Sequence, residues 1–155
     1  MTDLKSNTTR GGRRKRWHAP RVPGAGLAVG VIEPNYGIER VTYGLRSGAF
    51  DHSLARGLSL GRFDRGSNYY RMTPFVLARG YDLIHAWNST PRNGAFVTSI
   101  EMEFPRLFGE VSPARFAYVL DRVASDDCRG LWALSEAAKR YVTRTFARMG
   151  RPELA

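Results

Sequence analysis

The chain has 155 residues, 43% of them hydrophobic, which is enough for one domain with a real core but too few for two. Its net charge is +10, and residues 1–21 carry seven of the 24 Lys and Arg but one of the 14 Asp and Glu. A single cysteine excludes an intrachain disulfide, and no Cys/His spacing fits a zinc site. We therefore expect a cytoplasmic protein with no metal and no cofactor.

The basic start of the chain has a polar composition that cannot bury a core. We predict a flexible arm over residues 1–25 and a single folded domain over residues 26–155. The arm either only solubilises the protein, or its residues 10–21 bind nucleic-acid phosphates or an anionic membrane surface. No apolar run approaches the roughly 20 residues of a membrane-spanning helix, so any membrane attachment would be peripheral.

Four apolar runs predict buried strands, at residues 27–32, 82–88, 95–101 and 130–136. Residues 38–68 show a mixed pattern that predicts loops with one further strand. Thr73 and Pro74 have the residue types of a helix start, and Gly80 has the type that follows a helix. The turn-like residues 88–94 leave little room for a helix, so one flanking strand is expected at an edge or in a different pairing.

The later helices are marked by their end residues. Ser112 and Pro113 predict the start of one helix, and Ser135 predicts the N-cap of a second helix that ends before Gly150. We expect Trp87 and Trp132, inside strands, to be buried against such helices. The order of elements predicts an α/β, Rossmann-like domain with a mostly parallel sheet flanked by helices.

Polar side chains follow the predicted strands, where ligands bind in parallel α/β sheets. Amides, guanidinium groups and carboxylates can hold sugar hydroxyls or a phosphate, and a helix N-terminus adds free N–H groups. His85, within a strand, and Glu101, at a strand end, are the candidates for proton transfer. The candidate binding residues are Glu33, Asn35, Asn88, Arg92, Glu103, Arg106, Ser135 and Glu136.

Each candidate also has a structural interpretation. A histidine such as His85, on an apolar strand, is more often a hydrogen-bonded core residue than a catalytic base. Asn88 and Arg92 fit the shaping of a turn as well as they fit ligand binding. An ordinary ion pair is the commoner use of Arg106, and a helix cap is the commoner use of Ser135.

Three segments in order resemble the N-terminal, acceptor-side domain of family 4 glycosyltransferases, which have the GT-B fold of two Rossmann-like domains facing a cleft. The segments are YDLIHAWN at residues 81–88, FVTSIEMEFPR at residues 96–106 and LWALSEAAKRYV at residues 131–142. The resemblance implies that the chain binds the acceptor in sugar transfer from a nucleotide sugar. Many relatives end the middle strand in a histidine that faces the sugar, so here Glu101 takes that role or the role is absent.

Such enzymes bind the nucleotide sugar mainly through a C-terminal domain, so the resemblance implies that this domain is inactive alone. The chain is then a fragment, one half of a split enzyme that pairs with a separately encoded donor domain, or a remnant that binds without turnover. Its cleft face also offers a surface for a homodimer. The alternative is a small basic non-catalytic protein that binds nucleic acid or an anionic membrane surface through its arm.

Overall fold

The computed structural model describes residues 26–32, 49–55, 57–58, 60, 64–77 and 80–154. The predicted basic arm lies outside the described residues, and so do the candidates Glu33 and Asn35. Within the described part, the strands are β1 Leu27–Ile32, β2 Phe50–Ala55, β3 Gly57–Leu58, β4 Phe75–Val76, β5 Leu83–Trp87, β6 Phe96–Ile100 and β7 Cys128–Ala133. The α-helices are α1 Tyr69–Met72, α2 Pro113–Ala124 and α3 Glu136–Arg148, followed by a 3-10 turn at Pro152–Leu154.

Five strands form one sheet in the order β2-β1-β5-β6-β7, and all four neighbouring pairs are parallel. The short strands β3 and β4 pair with each other in an antiparallel ribbon. This arrangement confirms the predicted α/β class with a parallel sheet. Strand β2 is added on one side of β1, and β5, β6 and β7 follow on the other side, so the strand order reverses between β1 and β5.

Two hydrophobic clusters cover one face of the sheet. Ile32, Ile84, Phe96 and Ile100 all point to this face, because side chains alternate along each strand and the strands pair in register. The first cluster lies near β6 and β7, where Ile100 packs against apolar side chains of α2 and α3: Leu120, Val123, Ala138, Val142 and Phe146. Ile32, Ile84 and Phe96 belong to the second cluster. The opposite face carries Val97 and three residues of the candidate site, His85, Ser99 and Trp132.

The connection between β5 and β6 contains no helix, although the two strands are adjacent and parallel. Part of the connecting segment 88–95 instead runs beside residues 72–74. The N–H of Thr90 donates to the carbonyl of Met72 at 2.7 Å, and the N–H of Arg92 donates to the carbonyl of Pro74 at 3.0 Å. In the strand order, β5 and β6 each have a neighbour on both sides. The expectation that one of them was an edge strand or paired differently is therefore wrong.

The predicted helix start at Thr73 is also wrong. Thr73 is the C-cap of α1, where its N–H and its Oγ1 both donate to the carbonyl of Tyr69, at 2.9 Å and 2.8 Å. Pro74 then leads into β4, because the extended backbone of that strand pairs with β3 and with the Asn93 side chain. The same Thr-Pro pair fits a helix start and a helix stop, and the tertiary pairing decides between them.

The caps of the two long helices are confirmed. Ser112 caps α2 by accepting from the N–H of Arg115 at 3.4 Å, and Ser135 caps α3 by accepting from the N–H of Ala138 at 3.1 Å. Gly150 follows α3 with φ at 71°, a left-handed conformation that favours glycine. Because α3 begins just after the end of β7, its N-terminus lies at the carboxyl edge of the sheet.

Thr98, in the middle of β6, carries an unsatisfied hydroxyl. It is fully buried, and its Oγ1 has no hydrogen-bond partner in the described part of the chain. We expect Thr98→Val to raise the free energy of unfolding by about 1 kcal/mol, since valine keeps the shape and removes a desolvated hydroxyl. Urea unfolding measures this change. Thr73→Val, which removes a bonded hydroxyl, is the control and should destabilise; a loss of stability in both variants would contradict the prediction.

Candidate functional site

Asn88 is the first residue after β5, at the carboxyl edge of the sheet. It is buried and has φ at 47°, a left-handed conformation that asparagine tolerates better than most residues. Its Oδ1 accepts from the N–H of Glu101 at 3.0 Å, and its Nδ2 lies 3.5 Å from Oε2 of the same residue. The amide that was predicted to bind a ligand or shape a turn therefore holds the end of the neighbouring strand.

Glu101, directly after β6, is the exposed group of this arrangement. Its side chain is 58% exposed, and Oε2 lies 3.8 Å from Nη1 of Arg106. The Arg106 guanidinium also packs 5.4 Å from the ring centre of Phe108, and the Arg106 carbonyl accepts from Nδ2 of Asn68 at 2.9 Å. We call Asn88, Glu101 and Arg106 the edge cluster; it presents an exposed carboxylate beside a half-buried guanidinium.

His85 lies on a face of the sheet, within β5 and two residues before its end. Its Nε2 is 2.7 Å from Oγ of Ser99, and its ring stacks on Trp132 with centres 6.2 Å apart and planes 28° apart. We call His85, Ser99 and Trp132 the strand-face row. The predicted proton-transfer role stays a prediction, but this histidine already has a hydroxyl partner, as the structural interpretation expected.

Trp132 corrects the prediction that both strand tryptophans are buried against helices. Its side chain is 60% exposed, because β7 is an edge strand and both α2 and α3 lie on the other face of the sheet. The exposed Leu134 follows it, with its N–H bonded to the carbonyl of Ile100 at 2.9 Å. The register between β6 and β7 places Ser99 beside Trp132 on this face. The sequence reasoning did not single out Ser99 and assigned Trp132 to the core, because it could not tell which face the helices cover.

Arg92 is held within the protein. Its Nε and Nη2 donate to the carbonyl and the Oγ1 of Thr73, at 3.0 Å and 3.2 Å. The guanidinium carbon lies 5.1–5.2 Å from the ring centres of Tyr69, Tyr70 and Tyr118. Of its two interpretations, the geometry supports shaping of the connection between β5 and β6.

The remaining candidates are dispersed. Glu103 is half-buried, two residues beyond Glu101, and Ser135 and Glu136 are exposed at the N-terminus of α3. The Ser135 hydroxyl is used as a helix cap. The structure therefore joins Asn88, Glu101 and Arg106 directly, and it does not show contacts between these three and the other candidates.

Burial raises the pKa values of two groups, the partly buried Cys128 and the buried Tyr69. Burial raises the pKa of the Cys128 thiol, against weaker lowering by a hydrogen bond to the Gly130 backbone and by the charge of Arg122. Burial also raises the pKa of Tyr69, opposed by the charge of the adjacent Arg92. Both groups stay protonated at neutral pH, so Cys128 is a poor nucleophile.

Among the described residues, no group of three or more His, Cys, Asp and Glu side chains is placed to hold a metal ion. No helix in this part of the chain combines the length and the apolar character needed to cross a bilayer.

Comparisons with known protein families, with curated proteins and with solved structures find no match. The function must therefore be argued from the site itself.

Proposed function

We propose that this protein is the acceptor-binding half of a two-domain glycosyltransferase, with a Rossmann-like, mostly parallel sheet. The observation that carries the proposal is the edge cluster, in which Asn88 fixes an exposed Glu101 beside Arg106 at the carboxyl edge of a parallel sheet. Ligands of open α/β sheets bind at this edge, where the strand order reverses. The reversal lies between β1 and β5, and Asn88 is the residue that follows β5.

The sheet topology supports the Rossmann-like assignment. Counted along the chain, the strands of the parallel sheet have the spatial order 2-1-3-4-5, which is one of the two common orders of doubly wound domains. In that order the ligand crevice lies between the first and third strands. Here these are β1 and β5, and Asn88 directly follows β5.

The side chains of the edge cluster suit a polyhydroxylated ligand. The Glu101 carboxylate accepts hydrogen bonds from hydroxyls, and the Arg106 guanidinium donates to hydroxyl or phosphate oxygens. Trp132, two residues before Leu134 on the next strand, offers an exposed apolar ring to the C–H face of a sugar. A carboxylate and a guanidinium at the edge, with an aromatic ring on the adjacent sheet face, suit the mixed polar and apolar surface of a carbohydrate.

In sugar transfer, an acceptor hydroxyl oxygen forms a bond to the anomeric carbon of the donor while the nucleoside diphosphate leaves with its bonding electron pair. The hydroxyl proton must pass to a base, and Glu101 is the exposed carboxylate available to accept it. Stabilising the departing diphosphate falls to a donor domain, encoded separately or elsewhere, that brings the nucleotide sugar. The proposal therefore assigns binding, and no turnover, to this domain alone.

The test is a calorimetric titration of the purified chain with a panel of monosaccharides and sugar phosphates, in which the heat of binding is measured. We expect Glu101→Gln and Trp132→Ala each to weaken binding about tenfold or more, since each removes one class of contact to the ligand. Arg65→Gln, at an exposed position outside the edge cluster, is the control and should leave the affinity unchanged. If no sugar binds, or if Glu101→Gln binds as tightly as the unaltered chain, the proposal is wrong.

A further inference from the structure

The outward side of α3 carries three arginines spaced four residues apart: Arg140, Arg144 and Arg148. Residues four apart lie on the same side of a helix, with a rise of about 6 Å between neighbours. Together with Ala137, Tyr141 and Thr145 they line a groove of about 270 Å³, which we call the arginine groove. This groove lies on the side of α3 away from the buried Ala138, Val142 and Phe146, so it is separate from the sheet face that those residues cover.

Within the described part of the chain, no carboxylate forms an ion pair with the three arginines of the groove. Arg106, Arg115, Arg122 and Arg151 each form an ion pair with a described carboxylate, but none of the three groove arginines does. Like charges four residues apart on a helix repel each other. Binding of an anion between them would relieve this repulsion.

The shape and chemistry of the groove favour a compact oxyanion. Ala137 is small and leaves space between the longer side chains around it, and Tyr141 is 46% exposed beside them with a hydroxyl that can donate. Guanidinium groups match the oxygens of a phosphoryl group with paired hydrogen bonds. The apolar side of α3 is committed to the core, so the helix cannot insert into a bilayer and recognition must be electrostatic.

We propose that the arginine groove is a binding site for phosphoryl groups, at a place distinct from the edge cluster. One phosphoryl group lies between two neighbouring guanidinium groups, with the Tyr141 hydroxyl as a further donor. The group comes from an anionic lipid headgroup or from a soluble phosphate compound. In the first case the site holds the protein against a membrane surface; in the second it binds a free ligand.

The test uses the full chain and two probes: inorganic pyrophosphate in a calorimetric titration, and sedimentation with phosphatidylcholine vesicles with and without phosphatidylglycerol. The variant is Arg140→Gln with Arg144→Gln. The matched control is Arg65→Gln with Arg129→Gln, which removes the same charge from exposed positions outside the groove. Glutamine and arginine have similar helix propensities, so the variant should fold, and circular dichroism checks this.

We expect the groove variant to bind at least one probe about 25-fold more weakly, at roughly fivefold for each cation removed, and the control to lose much less. Binding to pyrophosphate identifies a soluble ligand, and binding to phosphatidylglycerol vesicles alone identifies a lipid headgroup. Equal losses in the variant and the control would mean that net charge alone drives binding and would overturn the proposal. Failure of both probes to bind would overturn it too, and would leave the sugar-binding proposal untouched.

Discussion

Replacing Arg122 by leucine is expected to lower the free energy of unfolding by about 3–5 kcal/mol, because it leaves several acceptors without their donor. The Arg122 side chain, on α2, is only 9% exposed. Its Nε donates to the carbonyl of Pro91 at 2.9 Å, its Nη2 donates to the carbonyl of Gly94 at 2.6 Å, and its Nη1 pairs with Asp127. One guanidinium thus ties α2 and the start of β7 to the connection between β5 and β6.

Urea unfolding of Arg122→Leu gives the size of this effect. Arg122→Lys keeps the charge, but its single ammonium group cannot reach the three acceptors that the planar guanidinium reaches. We therefore expect it to recover only part of the lost free energy of unfolding. Arg129→Leu, at an exposed position on β7, is the control for removing an arginine from this region and should change stability little. A loss below about 1 kcal/mol in Arg122→Leu would show that the connection is held mainly by its own backbone hydrogen bonds.

Arg122 also explains why sequence reasoning failed at this connection. The strands on either side were identified because apolar runs of five or six residues between turn-forming residues are a local signal. The pairing across the connection depends on an arginine about thirty residues later, which has no local signature. A parallel crossover without a helix is uncommon, and the sequence pattern alone favoured a different pairing.

For the candidate site, the sequence predicted which residues lie near strand ends but not the contacts between them. The sequence placed Asn88, Glu101 and Arg106 near strand ends, and the structure brings these three together. It could not show that Asn88 would be buried and engaged with Glu101, because that depends on the register between β5 and β6. It also placed Trp132 in the core, because the periodicity of a strand does not reveal which face the helices cover.

The second large effect is expected at the ion pair between Arg115 of α2 and Asp64. The Asp64 side chain is 1% exposed, and it accepts from Nη1 of Arg115 at 3.2 Å and from the N–H of Tyr70 at 3.0 Å. The Arg115 guanidinium lies 5.0 Å from the ring centre of Tyr69. Arg115→Leu should lower the free energy of unfolding by about 2–3 kcal/mol, less than for a fully buried pair because Arg115 is 33% exposed.

A double-mutant cycle distinguishes this ion pair from simple packing loss. If the cost of Arg115→Leu arises from a buried carboxylate without its cation, adding Asp64→Asn should cost less in the Arg115→Leu background than in the unaltered chain. Asparagine keeps the acceptor for the N–H of Tyr70 and removes the charge, so the two changes should be strongly non-additive. Additive losses would mean that Arg115 stabilises the fold through its contacts with the tyrosine rings, and that water satisfies Asp64 once the arginine is gone.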